Sequence, residues 1–346
     1  MNLLWIGKSC PNKLKSGGDI RALKILEILR KEYEIDVIAR SADYGDSDIK
    51  AIGCTSRLTR DIRSEIEIVI KEKCPEIVIL SHWTIAEEFL ELVKSLTSAK
   101  IIIDSIDIEF LRLARKFEFD GLNEGHIFLK QRELAIYKKA DSIIVASEPD
   151  QKELLANGDF KTIMLPCIYE INKNYQLNDS RNSYIICNWM HIPNKISTVF
   201  LCQEVIPNIE TKFHIVGKHP PQQIIDFASE KIEIRGCEYE ITKFLNTMNV
   251  LLCPIFYGAG INCKIAEALC FGIPVVTSAL GAIPFGLNHR EHCMIAENTK
   301  ESFVKNTNEV FNNKELRETL SKNGRDLMKS YTIEYWQNRL IKDLRN

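Results

Sequence analysis

An apolar run of four to six residues, a polar turn and a helical period recur along the whole chain, and this alternation restricts the fold more than any other feature. The first half carries "LLWIG", "IDVIA", "EIVIL", "KIIID", "SIIVA" and "TIML". Helical stretches fall between most of them, as in "GDIRALKILEILRKEY", where Ile20, Leu23, Ile25, Leu26 and Leu29 take helical spacing. Strands that are apolar along their whole length and separated by helices predict a parallel sheet covered on both faces. A second series, "YIIC", "KFHIVG", "KIEIRG", "VLLCPI", "IPVVTS" and "HCMIAE", follows with "STVFLCQEVI" and "EYEITKFLNTM" interposed. Between the two series lies "YEINKNYQLNDSRNS", residues 169–183, which is polar, Asn-rich and without apolar period, and so reads as a linker. The pattern predicts an α/β protein of two doubly wound parallel-sheet domains, 1–168 and 184–328, facing across a cleft, with a helical tail at 329–346. In open parallel sheets ligands bind beyond the carboxyl ends of the strands.

Composition narrows the class of ligand. Lys+Arg is 45 against Asp+Glu 47, a net charge of −2, which supplies no general attraction for nucleic acid. The 11 cysteines show neither a CxxC pair nor zinc-ligand spacing, and "VLLCPI" and "EALCFG" use them as small hydrophobes. With "MNLLWIG" reading as a short strand rather than a signal peptide, a reducing cytoplasm is the expected compartment. No run reaches the length of a membrane span.

Two glycine loops carry the candidate chemistry. In "GKSCPNKLKSGGDIRALKIL", Gly17 and Gly18 precede a helix with Asp19 as candidate N-cap. Glycines let a ligand approach the backbone, and a helix N-terminus offers N–H groups to an anion. This loop is not GxGxxG, and a flexible turn explains it equally well. "VLLCPIFYGAGINCKIAEALCFG" is more specific, being a buried strand, a loop with Gly258, Ala259 and Gly260, and a helix closed by Gly272. Ile261, Ile265, Ala268 and Leu269 form its apolar face, and Lys264 and Glu267 stand three apart off that face. They read either as an exposed ion pair, common on any helix, or as a lysine for phosphate and a carboxylate for sugar hydroxyls.

The run "NWMHIPNKISTVFLCQEVIP", "FHIVGKHPPQQI", "IRGCEYEITKFL" and "CPIFYGAGINCKIAEALCFGIPVVTSALGA" resembles retaining glycosyltransferases of family 4, also called group 1. The likeness covers most of the second half; in the first half "SGGDIRALKIL", "IIIDSIDIEFLR" and "SIIVASEPDQKEL" are similar to that family's glycine loop and strand ends. It implies the GT-B architecture of two Rossmann-like domains, with "IEYWQNRLIKDL" as a closing helix that returns to the first domain. It further implies a nucleotide-diphosphate-sugar donor, with Gly17, Gly18 and Lys264 at the diphosphate and Glu267 on the ribose. Glu267 matches the second glutamate of the family's E-x7-E motif; the first is replaced by Ala259, so backbone N–H groups around Gly260 would take over the sugar contact. His191 and Asn194 would shape the floor of the donor pocket, where Asn194 also suits a helix N-cap, and Lys195 is a second candidate phosphate cation or a solvated lysine.

The histidine that many relatives carry before the aspartate of the "IIIDSID" strand is here Ile106, flanked by Asp104 and Asp107. Asp107 or Glu109 is then the candidate base or acceptor-hydroxyl ligand, and His82 in "ILSHW" is a further candidate or a structural strand-end histidine. The reaction expected is sugar transfer to a hydroxyl of a glycan, lipid-linked or small-molecule acceptor. Retention is implied by the resemblance, and no metal or other cofactor is expected, because no DxD-type motif ends a strand in the second half. A sugar-nucleotide epimerase and a non-catalytic nucleotide-sugar or partner-binding protein are the alternatives. "FLRLARKF" presents Arg112, Arg115 and Lys116 either to the cytoplasmic face of a bilayer, as peripheral contact, or to solvent.

Overall fold

The computed structural model describes residues 1–12, 17–40, 46–122, 126–174, 177, 179–238 and 240–345. Its contacts divide the chain into two compact units, Met1–Ile168 with Ile333–Asn346, and Tyr169–Thr332. The first runs β1 (Asn2–Gly7), α1 (Gly17–Leu29), β2 (Glu34–Ala39), α2 (Asp46–Ala51), β3 (Thr55–Leu58), α3 (Ile62–Lys73) and β4 (Ile77–Ser81). It continues through α4 (Trp83–Leu96), β5 (Lys100–Asp104), α5 (Glu109–Phe119), α6 (Ile127–Tyr137), β6 (Ser142–Val145), α7 (Glu148–Leu155) and β7 (Thr162–Met164). The second unit runs β8 (Asn182–Ile186), α8 (Ile192–Phe200), β9 (Lys212–Val216), α9 (Gln222–Ile225), β10 (Ile232–Gly236), α10 (Ile241–Leu245) and β11 (Val250–Cys253). Then come α11 (Cys263–Phe271), β12 (Val275–Ser278), α12 (Ala279–Ala282), β13 (Met294–Ala296), α13 (Lys300–Asn312) and α14 (Lys314–Met328), and α15 (Ile333–Arg345) closes the chain.

Both sheets are wholly parallel. The first has seven strands in the order β3-β2-β1-β4-β5-β6-β7, and the second six in the order β10-β9-β8-β11-β12-β13. Period-2 alternation serves both faces: Leu3 and Trp5 enter one core and Leu4 and Ile6 the other, as Ile185 and Tyr184 do in the second unit. Leu340 and Leu344 of α15 pack into the core that holds Leu26 and Leu29 of α1, and Lys100 Nζ donates to Leu344 O at 3.0 Å. In each sheet the strand order reverses once, between β1 and β4 and between β8 and β11, and such a switch point is where this fold class opens a ligand crevice.

Several expectations change. β3 has the sequence TSRL, polar enough to hide from an apolar search, because it is an edge strand on β2 whose Arg57 bonds Asp36 at 2.6 Å. Helix α1 is already helical at Gly17, so Asp19 lies inside its first turn rather than at the cap. The segment expected as linker ends sooner, since Asn182 and Ser183 pair with Lys212 and Phe213 as the start of β8; residues 175, 176 and 178 lie outside the described ones. After α14 the second unit continues to Thr332, with Tyr331 accepting from Tyr169 N–H at 2.9 Å and its ring on Phe285.

Candidate functional site

In the second unit, the switch point gathers the turn after β8 and the loop after β11. That loop is pinned along its backbone. The Ser197 hydroxyl donates to Pro254 O, and Ile255 O accepts from Ser278 Oγ at 2.8 Å and Asn298 Nδ2 at 2.9 Å. Gly260 holds φ +69°, which an L side chain resists. A Cβ on Gly258 would meet nothing nearer than Ile255 Cγ2 at 3.9 Å, so the protein itself leaves space there. Gly258 and Ala259 are half-buried.

The loop delivers the chain to the head of α11. Its N-cap, Asn262, makes no side-chain cap bond, and Asn262 Oδ1 is buried without a partner among the described residues. The side chain of Asn262 thus leaves the first turn without its local cap, and a helix N-terminus is the usual place for an anion. Lys264 in that turn donates to Asn194 Oδ1 at 2.7 Å, and Asn194 Nδ2 donates to Asn188 O at 2.8 Å. The lysine is thus tied across the switch point to α8, and no ion pair joins it to Glu267 among the described residues. Glu267 is half-buried with no hydrogen-bond or ion-pair partner among them, and burial pushes its carboxyl up to about 7. Asn194 is not the N-cap of α8: His191 takes that position and Pro193 fits the first turn, leaving Asn194 inside it as a bridge. His191 is exposed, and half-buried Lys195 makes no ion pair among the described residues.

In the first unit, residues 13–16 of the first glycine loop lie outside the described ones, while Gly17 and Gly18 open α1. Arg21 of α1 donates to both carboxylate oxygens of Asp104, at 2.6 and 2.8 Å, and to Leu165 O at 3.0 Å, with both charged side chains buried. That pair locks the head of α1 to the end of β5.

The ends of β4 and β5 bring His82, Asp107 and Glu109 together. His82 stands at φ +82° and Ile106 at φ +63°, conformations that a β-branched residue in particular resists. Strain of this kind gathers at functional sites. His82 N–H donates to Asp104 O at 2.8 Å, and its Nδ1 accepts from Thr84 N–H as the cap of α4. Its Nε2 lies 3.7 Å from Glu109 Oε2. Burial lowers the His82 pKa, with Asp107 and Glu109 pulling against it. Glu109 also accepts from Trp83 Nε1 at 2.6 Å and Arg112 at 3.0 Å, so its carboxylate is occupied. Asp107 accepts from Arg112 Nε through Oδ2 at 3.0 Å and keeps Oδ1 without a partner among the described residues. Arg112, read from sequence as bilayer- or solvent-facing, turns to these carboxylates instead. Behind them Glu133 of α6, wholly buried, accepts from Glu109 N–H at 3.0 Å, Phe110 N–H at 2.8 Å and the Tyr137 hydroxyl at 2.8 Å.

Sequence reasoning missed Trp83, Arg21, Glu133 and the Asn194–Lys264 bond. Arg112, read there in another role, did carry a local signal, its helical spacing of three from Glu109. Among the described residues no three His, Cys, Asp or Glu side chains gather as metal ligands, and no helix is long and apolar enough to cross a membrane.

Residues 185–313 match the family model described as glycosyl transferases group 1. No curated protein matches the chain. Among solved structures, a sucrose-phosphate synthase from Thermosynechococcus elongatus is 15% identical, with 99% of this chain and 98% of that one covered and a TM-score of 0.80. HepE from Anabaena, in complex with UDP and glucose, is 12% identical over 100% and 99%, at TM-score 0.79. A UDP-N-acetylglucosamine 2-epimerase, so named in Listeria monocytogenes, is 14% identical over 99% and 94%, at TM-score 0.63. The two parallel-sheet units thus have the GT-B fold, a likeness of architecture that these differently named structures share.

Proposed function

We propose that the protein transfers a sugar from a nucleotide-diphosphate donor to a hydroxyl acceptor, with retention and without a metal ion. The observation that carries this reading is the head of α11. There a helix N-terminus whose Asn262 makes no cap bond, a lysine held by Asn194 and a carboxylate without a partner among the described residues lie together inside the stretch that matches group 1 glycosyl transferases. The reaction is hard because the leaving diphosphate gains negative charge as the anomeric carbon turns oxocarbenium-like. Fixed N–H groups and Lys264 stabilise that charge without reorganising, the role a metal ion fills elsewhere. Glu267 accepts hydrogen bonds from the ribose hydroxyls. In the first unit, Asp107 takes the acceptor's proton through its open oxygen, while Glu109, saturated by Trp83 and Arg112, fixes the cluster's shape. Retention rests on the family resemblance. HepE, also solved in complex with UDP-glucose, makes that nucleotide sugar the first donor to try.

The test is a thermal-shift and calorimetry panel of UDP, GDP and ADP sugars, with and without EDTA, followed by acceptor screening with any donor that binds. A donor at about 100 times its Kd should stabilise the fold by roughly 2.7 kcal/mol, a rise of a few degrees in Tm. An EDTA-insensitive shift with acceptor-dependent release of the nucleoside diphosphate supports the transferase. Turnover of donor alone to its epimer would replace that reading with the epimerase one, and binding without turnover would leave a nucleotide-sugar binding protein.

A further inference from the structure

We infer that Glu133 is a positioning residue, whose buried carboxylate fixes the head of α5 and through it the arrangement of Asp107, Glu109 and His82. The kinetic consequence rests on the transferase reading; the geometric claim does not. The N-cap of α5 is Ile108, which has no side-chain oxygen to offer the first N–H groups of the helix. A Ser or Asp there would cap α5 locally. Instead those N–H groups, from Glu109 and Phe110, are taken by Glu133 on a different helix, 0% exposed, and the Tyr137 hydroxyl fills out its acceptors. Glu109 is therefore gripped twice, by its backbone through Glu133 and by its carboxylate through Trp83 and Arg112. Asp107, two residues upstream, shares Arg112 with it.

Burying a carboxylate is costly, and it is chemically consequential here. Burial raises Glu133 to about 7 despite its three donors, with Asp107 adding to the rise. The charged and titratable groups around it are Asp107, Glu109 and Tyr137, with Asp104 (paired to Arg21), His82 and Arg112 beyond. On the acid side of that value the carboxyl gains a proton and loses an acceptor, which releases one of its three donors. A glutamine keeps the volume but likewise offers one acceptor oxygen in place of two.

The indole N–H of Trp83, 2.6 Å from Glu109, reports on the cluster without any substrate. In proton–nitrogen spectra of the full chain, assigned with W83F, E133Q should move the Trp83 indole resonance and speed its hydrogen exchange at least tenfold. The wild-type resonance should titrate with a midpoint near 7 and lose that titration in E133Q. An indole signal and exchange rate unchanged in folded E133Q overturns the inference, and so does a titration that persists there, which would belong to His82. Should E133Q fail to fold, Y137F removes a single donor and must shift the same resonance in a smaller degree; no shift there also overturns it. With any donor that the wild type turns over, E133Q should lower kcat tenfold or more and leave KM for the donor within twofold. Spectral changes in a protein that turns over no donor would sink the transferase reading and leave the positioning of the cluster standing.

Discussion

Glu267 in the second unit and Glu133 in the first are both carboxylates that burial pushes up to about 7, yet their surroundings are opposite. Glu133 accepts three hydrogen bonds and is closed to solvent, whereas Glu267 has no partner among the described residues and is half-buried. A saturated buried carboxylate already has its purpose inside the fold. Nothing among the described residues offsets the desolvation cost of the other, and on the proposed function a bound ribose offsets it. The same contrast runs through each site. The first unit's cluster is wired into the fold by Arg21–Asp104, by strained His82 and Ile106 and by the cap on α5. The head of α11 is held by loop hydrogen bonds behind it, and Lys264 is tied to Asn194, while Glu267 keeps no partner among the described residues.

The largest effect that tests this contrast is on stability. Asp104→Ala takes the only carboxylate that an ion pair gives buried Arg21 among the described residues, both side chains being under 3% exposed, and should cost about 3–5 kcal/mol in urea denaturation. Lys264→Ala removes one half-buried hydrogen bond and should cost about 1.5 kcal/mol, the low end for a bond to a charged group. Equal losses in the two variants would erase the distinction between a wired and an unwired site.

A smaller effect should appear in ligand binding, with the order reversed. Lys264→Ala gives up one charge-assisted contact to phosphate, about 1.5–3 kcal/mol, so titration calorimetry should show UDP or the preferred nucleoside diphosphate bound roughly ten- to a hundredfold more weakly. Wild-type affinity in that variant would remove the lysine from the donor site.

The difference between the two sites also explains what could be read from the sequence. Both sheets were legible strand by strand because buried parallel strands are continuous apolar runs; β3, polar at the sheet edge, was not. Gly258, Gly260, Lys264 and Glu267 stand in one contiguous loop and helix, so local spacing brings them together. The first unit's cluster depends on pairings that only the strand order creates. Arg21 meets Asp104 across 83 positions, and Glu133 reaches Phe110 across 23. Even at α11 the hydrogen bond of Lys264 could not be read locally, because Asn194 lies 70 residues away, and of the two readings left open the ion pair with Glu267 does not form among the described residues. Local pattern names the candidates, and long-range topology decides which of them touch.

The smallest effect isolates the cost of keeping Glu267 bare. Its ordinary pKa is 4.5 and in the folded protein it rises to about 7, so between those values the native state holds a proton that the unfolded chain has released. Stability therefore falls as pH rises through that window, and the whole cost is present above about 7. Glutamine does not ionise and escapes it. After allowance for partial exposure, Glu267→Gln should make the ligand-free protein more stable by about 1–2 kcal/mol at pH 8, with the gap closing toward pH 4. The same variant should bind the free nucleoside diphosphate more weakly, since an amide is a poorer acceptor for ribose hydroxyls than a carboxylate. A stability gap that does not change with pH would remove the buried ionisation as its cause. A pH-dependent gap with unchanged diphosphate affinity would show that the cost is real but that the ribose is not what offsets it.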